Sequence, residues 1–75
     1  MQLNYHDQML YIYNAEASWA TLTVYTTTGK TYLRITAELL NGQSAISLTT
    51  LPEGIYIAAV TDSNGNTQTI KLRVE

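Results

Sequence analysis

Leu51–Val74, LPEGIYIAAVTDSNGNTQTIKLRV, holds two strand patterns and the turn between them. Gly54 to Thr61 is apolar and partly β-branched, and it carries Tyr56. Asp62-Ser63-Asn64-Gly65-Asn66 is a cluster of turn formers. From Thr67 to Val74 the chain alternates, with Ile70, Leu72 and Val74 on one side and Lys71 and Arg73 on the other. A strand with one buried face requires this period of two, because successive side chains point to opposite sides. Asn64-Gly65 is expected to supply the positive φ angles of a tight hairpin turn. The expectation is a hairpin against which the remaining chain packs.

Working upstream, Ala45–Leu48 reads as a short strand, and Thr49–Glu53 as a crossover in which Pro52 ends pairing for lack of an amide donor. Thr31–Leu39 reads as a strand running into a turn at Asn41-Gly42. Trp19–Thr26 is a strand with Leu22 and Val24 inward, closed by the turn Thr27-Thr28-Gly29-Lys30. Gln8–Tyr13 is a strand with Leu10 and Ile12 inward, and Asn14–Ser18 is a connection. Residues 1–7 read as a loose start, although Leu3 and Tyr5 would suit a short edge strand. The expected core is Leu22, Val24, Leu33, Ile35, Tyr56, Val60, Ile70 and Leu72. Tyr25 and Tyr32 are expected to meet across their shared turn. Short strands spaced near ten residues, with Gly or Asn turns between them, predict an all-β antiparallel β-sandwich of six or seven strands.

Composition narrows the function. A chain of 75 residues forms one small domain, so residues 1–75 are read as a single unit. Without cysteine it has neither disulfides nor thiolate metal sites. A net charge of −2 with four basic residues gives no footprint for nucleic acid. No run approaches the ~20 apolar residues of a transmembrane helix, and the first residues do not form a signal peptide. Twelve threonines and six tyrosines suit the faces of strands.

No constellation for catalysis, metal or cofactor stands out. His6 beside Asp7 could orient an imidazole, but no nucleophile accompanies the pair. Asp62, Ser63 and Asn64 offer oxygen ligands, yet no Glu closes a calcium loop in register. An Asx-type hairpin turn is the reading taken there. Trp19 and the tyrosines could form a sugar-binding platform or simply pack. Tyr56, in the most apolar strand, is assigned to the core. Gly65 is read as a positive-φ residue and Gly54 as a site where another backbone comes close.

Leu51, Pro52, Gly54, Tyr56, Asp62, Gly65 and Lys71, in this order, resemble the end of a type IX secretion system C-terminal sorting domain. Leu22-Thr23-Val24-Tyr25 with Gly29-Lys30, and Ile46-Ser47-Leu48, extend the resemblance over residues 8–75. Its signature positions here are Gly29, Gly54, Tyr56, Gly65 and Lys71. Glu75 stands where a basic end is common in the family, and Leu3-Asn4-Tyr5 where a Pro-Asn-Pro-like segment is. The resemblance implies an immunoglobulin-like sandwich at the C-terminal end of a larger exported protein of Bacteroidetes-type bacteria. It implies a non-catalytic label, without cofactor, recognised by an outer-membrane secretion machinery that acts on the upstream passenger. The passenger then crosses the periplasm to the cell surface or the medium, often becoming attached to lipopolysaccharide. On this reading a signal peptide lies far upstream and Met1 is an introduced start. The alternatives are an accessory β-sandwich binding carbohydrate or a protein partner in a cell-surface protein, and a complete small intracellular protein.

Overall fold

A computed structural model describes residues 1–75. Its strands are β1 (Gln2–His6), β2 (Met9–Tyr13), β3 (Trp19–Thr26), β4 (Thr31–Glu38), β5 (Ser44–Ser47), β6 (Gly54–Asp62) and β7 (Thr67–Val74). All pairings are antiparallel. They form a three-stranded sheet, β1-β2-β5, and a four-stranded sheet, β4-β3-β6-β7. Neither closes on itself, so the arrangement is sandwich-like rather than a barrel. Leu10 and Ile12 from one sheet meet Leu22, Val24, Ala58, Val60 and Leu72 from the other in a single apolar cluster.

The turns explain the chain path. Asp7 and Gln8 both take positive φ, 51° and 62°, and join His6 to its partner Met9. This is a two-residue turn whose twist suits a hairpin. The start of the chain is therefore not loose: β1 pairs with β2 over its whole length. At Asn41-Gly42, φ is 55° and 75°, and Leu40 and Gln43 exchange both backbone hydrogen bonds.

The other two hairpins use a second design. The Gly29 N–H donates to the Thr26 carbonyl at 2.9 Å, and the Gly65 N–H to the Asp62 carbonyl at 3.0 Å. In each, the glycine alone among the turn residues takes positive φ, 95° at Gly29 and 87° at Gly65. This matches a type I turn followed by a left-handed residue. Asn64 thus does not share the positive φ expected of Asn64-Gly65.

Core membership departs from the period-two reading at the sheet edges. Ile35 pairs with the fully buried Leu22, yet is 36% exposed. Three strands do not cover four, and β4 overhangs. Leu33, also on β4, is half-buried for the same reason, and Ile70 on the opposite edge strand β7 is half-buried too. Leu39, Leu48, Leu51 and Val74 are buried instead. Tyr25 does not meet Tyr32 either. A register shift pairs Tyr25 with Thr31 and leaves Tyr32 as an extra residue. Its ring packs edge-to-face on Tyr56, with centroids 5.4 Å apart.

Candidate functional site

The stretch from Leu51 to Tyr56 carries the chain from β5 of one sheet to β6 of the other. Leu51 is buried, and its N–H donates to the Leu48 carbonyl at 3.2 Å. The Tyr56 hydroxyl reaches back and donates to the Pro52 carbonyl at 2.6 Å. Its ring lies over Gly54, where an added Cβ would sit 3.6 Å from the ring. Gly54 has a φ of 157°, which L side chains rarely adopt. So the neighbour of Gly54 is an aromatic ring, not the backbone that its sequence context suggests. Burial, helped by Tyr32 alongside, raises the Tyr56 hydroxyl above its ordinary pKa. It therefore remains a proton donor near neutral pH. Leu-Pro-x-Gly-x-Tyr is thus one interlocked corner.

Asp62 ends β6 and is 2% exposed. One carboxylate oxygen accepts from the N–H groups of Asn64 at 2.9 Å and Asn66 at 3.0 Å. The other accepts from the Asn66 side-chain amide at 3.3 Å. The bond from Asn64 is an Asx-turn bond, and with the two from Asn66 it occupies the oxygens that a cation would need. Burial opposes the charge, but the donors from Asn66 and Asn64 outweigh it, and the carboxyl is held below its ordinary 3.8. A depressed folded-state pKa stabilises the fold above the unfolded value and loses that contribution as pH falls through the lowered one. Wild type should therefore lose stability relative to Asp62→Asn between about pH 5 and about pH 2. Urea midpoints across that range read this out, and parallel curves for the two proteins would refute it.

The other candidates separate in space. His6 and Asp7 lie 3.2 Å apart, and both are largely exposed beside the β1–β2 turn. Trp19 begins β3, Tyr11 is on the three-stranded sheet, and Tyr32 is on edge strand β4, so they form no common platform. Tyr11 and Tyr13 line a shallow open groove of about 760 Å³ together with Leu40.

Nor do the signature positions converge. Gly29 and Gly65 sit in hairpins at opposite ends of the four-stranded sheet, and Gly54 and Tyr56 share the corner. Gly29 and Gly65 are exposed as backbone, and Lys71 is the one signature position that presents a side chain to solvent, on β7 opposite Ile57. Arg73 follows on the same face, its guanidinium 3.3 Å from Glu75. β7 is an edge strand. Its flank is partly occupied: Gln8 donates to the Glu75 carbonyl at 2.8 Å, and Gln68 donates to the Met1 carbonyl. The sequence marks Gly42 only as a turn residue, yet its backbone lies against Ala15, the close approach sought at Gly54.

One family model, described as a secretion system C-terminal sorting domain, matches residues 4–75. Comparison with curated proteins and with solved structures finds no match.

Proposed function

Because the chain belongs to the family of type IX secretion system C-terminal sorting domains, we propose that the exposed side of β7, above all Lys71, is the feature that the export machinery reads. The domain is a non-catalytic module. It is recognised by the outer-membrane secretion machinery, and its passenger crosses the periplasm to the cell surface or the medium. No helix is long and apolar enough to cross a membrane. In our reading, residues 1–75 form the C-terminal unit of a longer exported protein.

We read the sandwich as immunoglobulin-like. Two observations support this. The order β1-β2-β5 against β4-β3-β6-β7 corresponds to strands A-B-E against C′-C-F-G. In that lettering Tyr56 stands near the start of strand F, and its hydroxyl bonds back to the Pro52 carbonyl, as a tyrosine corner does. Gly29, Gly54, Tyr56 and Gly65 then hold the label in shape, and Lys71 is the contact residue.

The observation carrying the proposal is that Lys71 is the one signature side chain offered to solvent, on the last strand of the chain. Removing Lys71–Glu75 would also remove buried Leu72 and Val74, so loss of export would only report unfolding. Charge reversal separates the two effects. Residues 1–75 are fused behind a signal peptide and reporter in a host with the machinery. Lys71→Glu with Arg73→Glu should leave the reporter in the periplasm while the isolated domain keeps its melting curve. Lys30→Ala should export normally. Normal export of the double variant would remove Lys71 from recognition.

A further inference from the structure

The two sheets have four edges, and they differ. β5 has four residues. β1 and β7 flank one another, and the Gln68 side chain reaches the Met1 carbonyl across them. β7 also carries two like charges, Lys71 and Arg73, which disfavour pairing with itself. β4 is different. Its eight residues contain no proline or glycine, its outer edge is unpaired, and its inward side overhangs the three-stranded sheet. Ile35 is 36%, Tyr32 44% and the following Leu40 74% exposed.

We propose that β4 docks on β4 of a second copy of this chain, antiparallel, about a two-fold axis at Thr36. The register follows from charge. Arg34 and Glu38 lie on the outward side, flanking Thr36 symmetrically. Folded back on itself about Thr36, Arg34 of each copy stands opposite Glu38 of the other, so the two ion pairs form together. Inward, Ile35 of each copy meets Ala37 of the other. Sliding one strand by two residues puts Arg34 opposite Thr36 in one direction and Glu38 opposite Thr36 in the other, and forms no ion pair in either, so this register is selected over its neighbours.

The pairing satisfies the free backbone groups of an open edge, which are otherwise a template for indiscriminate association. It yields one eight-stranded sheet, β7-β6-β3-β4 continuing into β4-β3-β6-β7. Both β7 strands remain at its outer edges. The proposal does not rest on any role for Lys71.

Sedimentation velocity over a concentration series tests it. The chain should show a monomer–dimer equilibrium. Arg34→Glu and Glu38→Arg should each raise the dissociation constant about tenfold, since opposed charges become like charges twice over. The double variant Arg34→Glu/Glu38→Arg should return close to wild type. The chain has no cysteine, so Thr36→Cys should oxidise to a covalent dimer, while Thr69→Cys on β7 should not. A chain that stays monomeric to millimolar concentration overturns the proposal. So does a dimer indifferent to Arg34→Glu, which would place association at another face, and so does a double variant that fails to recover.

Discussion

Leu72→Ala should lower the unfolding free energy by about 2–5 kcal/mol. Leu72 is 4% exposed and lies on β7 directly opposite buried Tyr56. Truncation removes its transfer energy and leaves a cavity between two sheets, each kept stiff by its own ladders. Partial collapse sets where in the range the cost falls. A domain this small has only a few kcal/mol in hand. The variant should therefore be substantially unfolded at physiological temperature. The readout is a fall in the urea midpoint at unchanged slope. Ile35→Ala is the companion measurement. It removes the same kind of side chain from an overhanging position and should cost less than about 1 kcal/mol. Equal costs would mean that the face of β4 has been misjudged, and a negligible cost at Leu72 would mean the same for β7. The result bears on export too. Leu72 and Val74 anchor the strand whose outer side shows Lys71 and Arg73, so Leu72→Ala removes the display where Lys71→Glu alters only what is displayed.

Six of the seven strands were legible because their causes are local. Trp19–Thr26 follows from alternation bounded by turn residues, and β6–β7 from the same signal on either side of Asp62–Asn66. What alternation cannot encode is the width of the opposing sheet. Period two puts Ile35 on the inner side of β4, as the structure does, but only the count of strands facing it says that it stays exposed. β1 was hidden because its turn is made by Asp7-Gln8, with no glycine or asparagine to announce it. Asp is among the residues that enter the left-handed region most readily.

The two Asn-Gly pairs make a sharper case, because identical letters build different turns. At Asn41-Gly42 both residues take positive φ. At Asn64-Gly65 the Asp62 carboxylate captures the amides of Asn64 and Asn66, which leaves Gly65 alone in the left-handed region. The dipeptide permits either outcome, and a neighbour two residues back selects one. The candidate site divides the same way. The residues of Leu-Pro-x-Gly-x-Tyr were readable as a set. The bond from Tyr56 to Pro52 that makes them one corner was not, nor was the bulge that brings Tyr32 onto the Tyr56 ring.

Gly42→Ala should be the most damaging of the alanine substitutions at the three turn glycines, at about 2–5 kcal/mol. Gly29, Gly42 and Gly65 all take positive φ, so each alanine incurs about 1–2 kcal/mol of backbone strain. Around Gly29 and Gly65 nothing lies within 4 Å of an added Cβ, and the strain is the whole cost. At Gly42 the Cβ would run into the carbonyl oxygen of Ala15. That oxygen cannot swing aside, because it belongs to main chain whose neighbouring N–H donates to the Gly42 carbonyl at 3.2 Å. Relief requires moving either the β2–β3 connection or the turn that feeds β5. Movement of the turn disturbs Ile46 and Leu48, the buried residues that β5 and its exit contribute to the core. Asn41→Gly, one residue earlier, isolates the steric part: it relaxes the same turn without adding an atom. It should leave the urea midpoint nearly unchanged or raise it. If Gly42→Ala proves no worse than Gly65→Ala, the contact with Ala15 does not constrain the fold, and the order of the turn glycines must come from φ alone.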